Sequence, residues 1–195
     1  MKKVKDLDVV FILDKSGSMH GSEEDTIGGY NKYLSDNRKS NVKVTTVLFD
    51  DNYQLLHYRK DINDIKDLTK ADYQVGGCTA LYDAIGITIN KLDKDTKNKV
   101  LFIITTDGLE NASKEYNKGS INKLIKEHNN WEFIYLGANI DSYSEGASIG
   151  ISEDNIANYE KSSKGISKMF KSLSTLSDTM INDESITSDW KKELK

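Results

Sequence analysis

Proline is absent from this chain of 195 residues, and cysteine occurs only once, at Cys78. Average usage would place roughly ten prolines in such a chain, so its turns must be built from glycine, asparagine, aspartate and serine. One cysteine excludes an internal disulfide, which favours a cytoplasmic location. No apolar run is long enough to cross a membrane, and the apolar run after the basic start is too short for a signal peptide.

A strong excess of one charge is missing as well, since 27 basic and 31 acidic residues leave a net charge of −4. Without a basic stripe, neither nucleic acid nor a membrane is expected as a partner. A composition of 30% charged and 37% apolar residues is typical of a soluble globular protein, and the length predicts one domain. The frequent lysine, asparagine and isoleucine favour a bacterial or phage origin.

Four short runs are predicted to be strands buried on both faces, because each is almost continuously apolar or β-branched. They are Val9 to Leu13, Val44 to Phe49, Val100 to Thr105 and Phe133 to Leu136. Apolar residues at helical spacing between these runs predict crossover helices. The alternation predicts a Rossmann-like, three-layer α/β sandwich, with a central, mostly parallel sheet of about six strands and helices on both faces.

Two weaker strands complete the predicted sheet. Tyr53 to Tyr58 follows the second run after a link too short for a crossover helix, so it is predicted to be an antiparallel edge strand. A sixth strand is predicted near Asn155 to Tyr159, followed by an amphipathic helix that ends near Met180. Residues 1–181 are therefore predicted to form the domain, and residues 182–195 a polar, loosely ordered tail.

Three polar loops are expected at the carboxyl edge of this sheet, where open α/β proteins bind ligands. The first is Asp14-Lys15-Ser16-Gly17-Ser18, the second contains Thr79, and the third contains Asp107. Together they supply carboxylate and hydroxyl oxygens, which suit Mg²⁺, Mn²⁺ or Ca²⁺. The His/Cys cluster typical of a structural zinc site is absent.

The three loops resemble a known family site. The DxSxS pattern, the segment GGCTALYDAI around Thr79 and the TTDG around Asp107 are similar, in order and spacing, to the metal-ion-dependent adhesion site of von Willebrand factor A domains. The resemblance covers residues 8 to about 180.

That resemblance implies how each residue is used. Ser16, Ser18 and Thr79 would bind a divalent ion through their hydroxyls, whereas Asp14 and Asp107 would bind it directly or through water. A glutamate or aspartate of a partner protein would complete the coordination.

The residues of the predicted site also have other interpretations. Each of the serines and Thr79, taken alone, fits a helix N-cap. Asp83, one helical turn after Thr79, either orients Thr79 or a bound water from behind the site, or complements the dipole of its own helix. Glu110 and Asn111 either help to select a partner or are solvated loop residues.

The favoured function is a protein-binding module without enzyme activity, which engages an acidic residue of a partner through the bound ion. Lys15 and Met19 are expected at the rim, where such a partner would arrive. As an alternative, the chain is a subunit of a larger intracellular complex, such as a partner of a ring ATPase, and uses Trp190 in its tail as a contact. A less favoured alternative is a metal-dependent phosphohydrolase. Phosphatases with an aspartate nucleophile need a second acid two positions after it, where this chain has Ser16 after Asp14.

Overall fold

Strands and helices alternate in the computed structural model, which describes residues 6–38 and 40–194. The elements are β1 (Leu7–Asp14), α1 (Glu23–Asn37), β2 (Val42–Phe49), β3 (Tyr53–Asp61), α2 (Leu81–Asp95), β4 (Lys99–Thr106), α3 (Lys118–Glu127), β5 (Glu132–Gly137), α4 (Ser142–Ser148), β6 (Ile156–Asn158) and α5 (Ser163–Ile181). Residues 1–5, where no signal peptide is predicted, and the last residue of the predicted tail lie outside the described residues. Within the described ranges, no helix is both long and apolar enough to cross a membrane.

The six strands form one sheet in the order β3-β2-β1-β4-β5-β6. The strands β2, β1, β4, β5 and β6 run parallel to their neighbours in this order, whereas β3 pairs antiparallel with β2 at the edge. The link between β2 and β3 is too short for a crossover helix, so the chain reverses direction there. The predicted Rossmann-like α/β fold with one antiparallel edge strand is therefore confirmed.

Helices cover both faces of the sheet, because the inner strands are apolar on both sides. On one face α1 and α5 pack around Phe11, whose ring lies 5.3 Å from that of Tyr30 and 4.8 Å from that of Tyr33, measured between centroids. On the other face α2 and α3 pack around the buried side chains of Ile85 and Phe102. This two-sided core holds the strand ends, and the loops that follow them, in place.

A buried ion pair lies near the amino end of β1. Asp8 is fully buried and accepts hydrogen bonds from Arg59 Nε at 2.9 Å and from the Thr96 hydroxyl at 2.6 Å. Arg59 has a left-handed backbone with φ of 43°, in a strand whose pairing with β2 shifts register. Since an unpaired buried carboxylate is strongly destabilising, we assign this cluster to stability rather than to binding.

The C-terminal segment is packed against the domain. Ser188–Leu194 form a 3-10 helix in which Trp190 is only 8% exposed. The indole nitrogen of Trp190 donates a hydrogen bond to the Asp154 carbonyl at 3.0 Å, and the Lys191 ammonium donates one to the Ile156 carbonyl at 2.7 Å. The expectation of a loosely ordered tail is therefore wrong, because the tail gains partners that are distant in sequence.

Candidate metal site

The first loop begins with a fixed carboxylate at the end of β1. Asp14 is 1% exposed, and its Oδ1 accepts a hydrogen bond from the Ser16 backbone N–H at 2.7 Å. Its Oδ2 accepts one from the Thr106 hydroxyl, at the end of β4, at 2.6 Å. Burial raises the pKa of the Asp14 carboxyl, and the hydrogen bonds from Ser16 and Thr106 oppose that rise because they stabilise the charged form.

The second loop is tied to the first through backbone hydrogen bonds. The Gly17 N–H donates to the Gly77 carbonyl at 3.0 Å, and the Gly76 N–H donates to the Lys15 carbonyl at 2.9 Å. Gly77 has φ of 74°, a left-handed conformation that glycine adopts without strain. These contacts hold Thr79, which is 3% exposed, beside the first loop.

The third loop brings its carboxylate to the same place. Asp107 is 6% exposed, and its Oδ1 accepts a hydrogen bond from the Ser18 hydroxyl. The hydroxyl oxygens of Ser16 and Ser18 lie 3.1 Å apart.

The space beside Gly108 shows how closely the three hydroxyls converge. A Cβ atom placed on Gly108 would lie 3.1 Å from the oxygens of both Ser18 and Thr79, and 4.0 Å from that of Ser16. The structure therefore brings together the residues predicted for the metal site, next to Gly108.

The chemistry of these donors indicates which ligand they suit. No group of three or more histidine, cysteine, aspartate and glutamate side chains in the described part of the chain could hold a metal. Hydroxyl oxygens and a pair of carboxylates are instead suited to a hard divalent cation.

Sequence reasoning missed one charged group at this site. Lys161, in the loop between β6 and α5, places its Nζ 2.7 Å from Asp107 Oδ2. The same ammonium donates a hydrogen bond to the Ser18 backbone carbonyl. The sequence predicts only a short loop at residues 160–164, because nothing local to this stretch shows that it approaches β4.

Asp83 has partners other than those expected. Its carboxylate accepts hydrogen bonds from the backbone N–H groups of residues 114–116 at 2.8 to 2.9 Å. It therefore stabilises the segment after the third loop and is directed at that backbone, rather than at Thr79. The Thr79 N–H donates instead to Asn111 Oδ1 at 2.8 Å.

Glu110 likewise accepts hydrogen bonds from backbone N–H groups. Its carboxylate accepts hydrogen bonds from the N–H groups of Tyr82 at 2.9 Å and Ser113 at 2.7 Å. Glu110 and Asn111 thus connect the second loop to the third, although Asn111 itself is an exposed loop residue.

Lys15 and Met19, the two residues expected at the rim of the site, have other surroundings. Met19 is buried, with 3% exposure, so its placement at the rim was wrong. Lys15 directs its Nζ to Asp50 Oδ2 at 3.0 Å. Cys78, next to Thr79, is exposed.

The fold and the site together define a class: a Rossmann-like α/β domain with a hydroxyl and carboxylate cluster at the carboxyl edge of its sheet. Residues 8–176 match the family described as von Willebrand factor type A domain, and the chain belongs to this family. A comparison with curated protein sequences finds no match.

Solved structures similar to this chain share its fold. Proximal thread matrix protein 1 from the mussel byssus, whose MIDAS (metal-ion-dependent adhesion site) motif is occupied by zinc, matches with a TM-score of 0.68 and 18% identity. The match covers 89% of this chain and 46% of that protein chain. The PilB minor pilin from Streptococcus sanguinis matches with a TM-score of 0.72 and 11% identity over 93% of this chain and 63% of its own. The chain thus spans less than two thirds of either protein, and at these identities the likeness shows the fold alone.

Proposed function

We propose that the chain is a metal-dependent protein-binding module. Asp14, Ser16, Ser18, Thr79 and Asp107 would hold Mg²⁺, or Mn²⁺ or Ca²⁺ in its place. The bound ion would offer an open coordination position to a glutamate or aspartate of a partner protein. The observation that carries this proposal is the convergence of three hydroxyls beside Gly108, one of which, that of Ser18, donates a hydrogen bond to the carboxylate of the third loop.

The mixture of ligands supports the proposal that the ion binds a carboxylate of a partner protein. Neutral hydroxyls outnumber carboxylates in it, so an ion held there keeps much of its positive charge and attracts a further carboxylate. The family also supports it, since von Willebrand factor type A domains are protein-interaction modules that often depend on a metal.

Metal binding is tested by titrating chelator-stripped protein with MgCl₂ in a calorimeter. We expect saturable binding by the wild type and at least about tenfold weaker binding by Thr79→Ala, the loss expected when roughly 1.4 kcal/mol is removed. Thr175→Ala, which removes an exposed hydroxyl from α5, is the matched control and should bind like the wild type. Equal binding by all three proteins would contradict the assignment. A parallel titration with ZnCl₂ is informative, because the byssus protein holds zinc at its MIDAS motif.

Partner recognition is tested on peptide arrays in which each glutamate-containing peptide has a glutamine counterpart. We expect the wild type to prefer glutamate in Mg²⁺ and to lose that preference in EDTA or in Thr79→Ala. Capture from a lysate of the source organism, with the same three conditions, then identifies the partner. Binding that is unchanged by both EDTA and Thr79→Ala would exclude a metal-mediated contact.

The alternatives have less support. Ser16 occupies the position where an aspartate-nucleophile phosphatase needs a second acid, so we propose no enzyme activity. Trp190, the expected contact with a larger assembly, is buried within this chain. The cytoplasm is the location that we propose, because a single cysteine leaves no internal disulfide to form.

A further inference from the structure

A positively charged side chain already lies among the proposed metal ligands. The Lys161 ammonium is 2.7 Å from one carboxylate oxygen of Asp107 and donates a hydrogen bond to the backbone carbonyl of Ser18. The Asp107 side chain is 1% exposed and that of Lys161 is 20% exposed, so this ion pair is largely shielded from water. Shielded charges interact more strongly than charges on an open surface.

The other lysine near the site is directed elsewhere. Lys15 belongs to the first loop, but its ammonium pairs with Asp50 at 3.0 Å, and both side chains are 13% exposed. Lys15 and Lys161 are therefore two partly buried lysines close to one site, of which Lys161 is paired with a proposed metal ligand.

We propose that Lys161 is an internal competitor of the divalent ion. This inference rests on the proposed function. In the metal-free chain the ammonium offsets the negative charge of Asp107. A divalent ion bound by the same carboxylate would be attracted by that same charge. An ammonium and a divalent ion held by the same carboxylate repel each other, so the ammonium is expected to leave Asp107 when the ion binds. Binding is then an exchange of cations, and the affinity for metal is lower than the oxygen ligands alone would give.

The first test compares Mg²⁺ affinities by calorimetry. Lys161→Met removes the competing charge and keeps most of the length of the side chain, so we expect it to bind Mg²⁺ at least about tenfold more tightly than the wild type. The matched control Lys15→Met removes an equal charge from the same neighbourhood without freeing Asp107. It should bind within about threefold of the wild type, a difference of roughly 0.7 kcal/mol. Lys161→Gln provides a second variant if the methionine variant does not fold.

The second test uses the wild-type chain. Acetylation by an amine-reactive ester is measured at each lysine by mass spectrometry, with and without saturating Mg²⁺. Release from Asp107 should raise the labelling rate of Lys161, while that of Lys15 stays unchanged.

The outcomes separate this inference from the function on which it rests. If the wild type binds Mg²⁺ but Lys161→Met and Lys161→Gln bind it no more tightly, or if labelling of Lys161 does not rise, the competition is refuted and the metal site stands. If neither the wild type nor any lysine variant binds Mg²⁺, the metal site fails and the competition fails with it.

Discussion

Gly108 determines how much room the proposed metal site has. Its backbone is not among the left-handed glycines, which are Gly21, Gly77 and Gly150 among the described residues. An alanine at position 108 would therefore be tolerated by the backbone, but its methyl group would enter the gap between the hydroxyls of Ser18 and Thr79. The position is therefore restricted by the neighbouring hydroxyls rather than by backbone conformation.

We expect Gly108→Ala to weaken Mg²⁺ binding by about tenfold or more, equivalent to roughly 1.4 kcal/mol, with little change in thermal stability. The reason is that a Cβ atom 3.1 Å from two hydroxyl oxygens displaces both of these proposed ligands. Gly76→Ala is the control, because a Cβ at that glycine meets no atom within 4 Å. Calorimetric titration of both variants checks the prediction, which is wrong if both bind Mg²⁺ alike.

At this scale the sequence predicts the residues of the proposed metal site but not their neighbours. The DxSxS pattern, Thr79 and Asp107 are recognisable because their spacing is local or follows strand ends. Asp83 was expected to orient Thr79 or a bound water, or to complement the dipole of its helix, whereas its carboxylate accepts a hydrogen bond from a backbone N–H 31 residues later. Lys161 approaches Asp107 because β6 and β4, the strands that precede these residues, belong to the same sheet. No local sequence pattern shows that arrangement.

At the scale of elements, the contact between α1 and α5 depends on one of two neighbouring glycines. A Cβ atom on Gly29 would lie 2.2 Å from Cδ2 of Phe170, which is 2% exposed on α5. A Cβ on Gly28 would meet no atom within 4 Å. The two glycines are equally flexible in an unfolded chain, so they differ only in what surrounds them.

We predict opposite effects for the two alanine substitutions. Gly28→Ala should stabilise the chain by about 0.5–1 kcal/mol, because alanine loses less backbone entropy than glycine in a helix. Gly29→Ala should destabilise it by about 1–3 kcal/mol, because the ring of Phe170 has to move within a packed core. Urea unfolding measures both free energies. Equal effects would show that helix packing at Gly29 is looser than the structure indicates.

Most elements were predictable, since each carries a repeated apolar pattern. The antiparallel direction of β3 followed from the length of one link, and the weak β6 was placed within a residue or two of its observed position. Helix α4 was not predicted, because SYSEGAS is only seven residues long and Tyr143 and Ala147 are too few to make a helical apolar pattern.

At the scale of the whole molecule, the C-terminal segment behaves as part of the domain. Trp190 packs against the same core as α1 and α5, and its indole nitrogen is bonded to a carbonyl 36 residues earlier. Sequence alone could not place this contact, because the segment around Trp190 is polar and lacks a hydrophobic pattern.

Replacement of this tryptophan distinguishes a packed tail from a loose one. Trp190→Ala should lower the free energy of unfolding by about 3 kcal/mol, the lower end of the range for a buried tryptophan. Lys192→Ala, at an exposed neighbouring position, should change it by less than about 0.5 kcal/mol. Chemical denaturation of both variants gives the comparison, and a tail that is loose in solution would make the two substitutions equivalent.

The bond from Lys191 to the Ile156 carbonyl has a consequence for self-association. Ile156 belongs to β6, the strand at one end of the sheet, and open strand edges are templates on which further chains add and grow into fibres. Lys191 places a positive charge beside this three-residue edge. At the other end, β3 has an irregular pairing register and carries Arg59 and Lys60. Both edges therefore carry features that oppose the addition of a further strand.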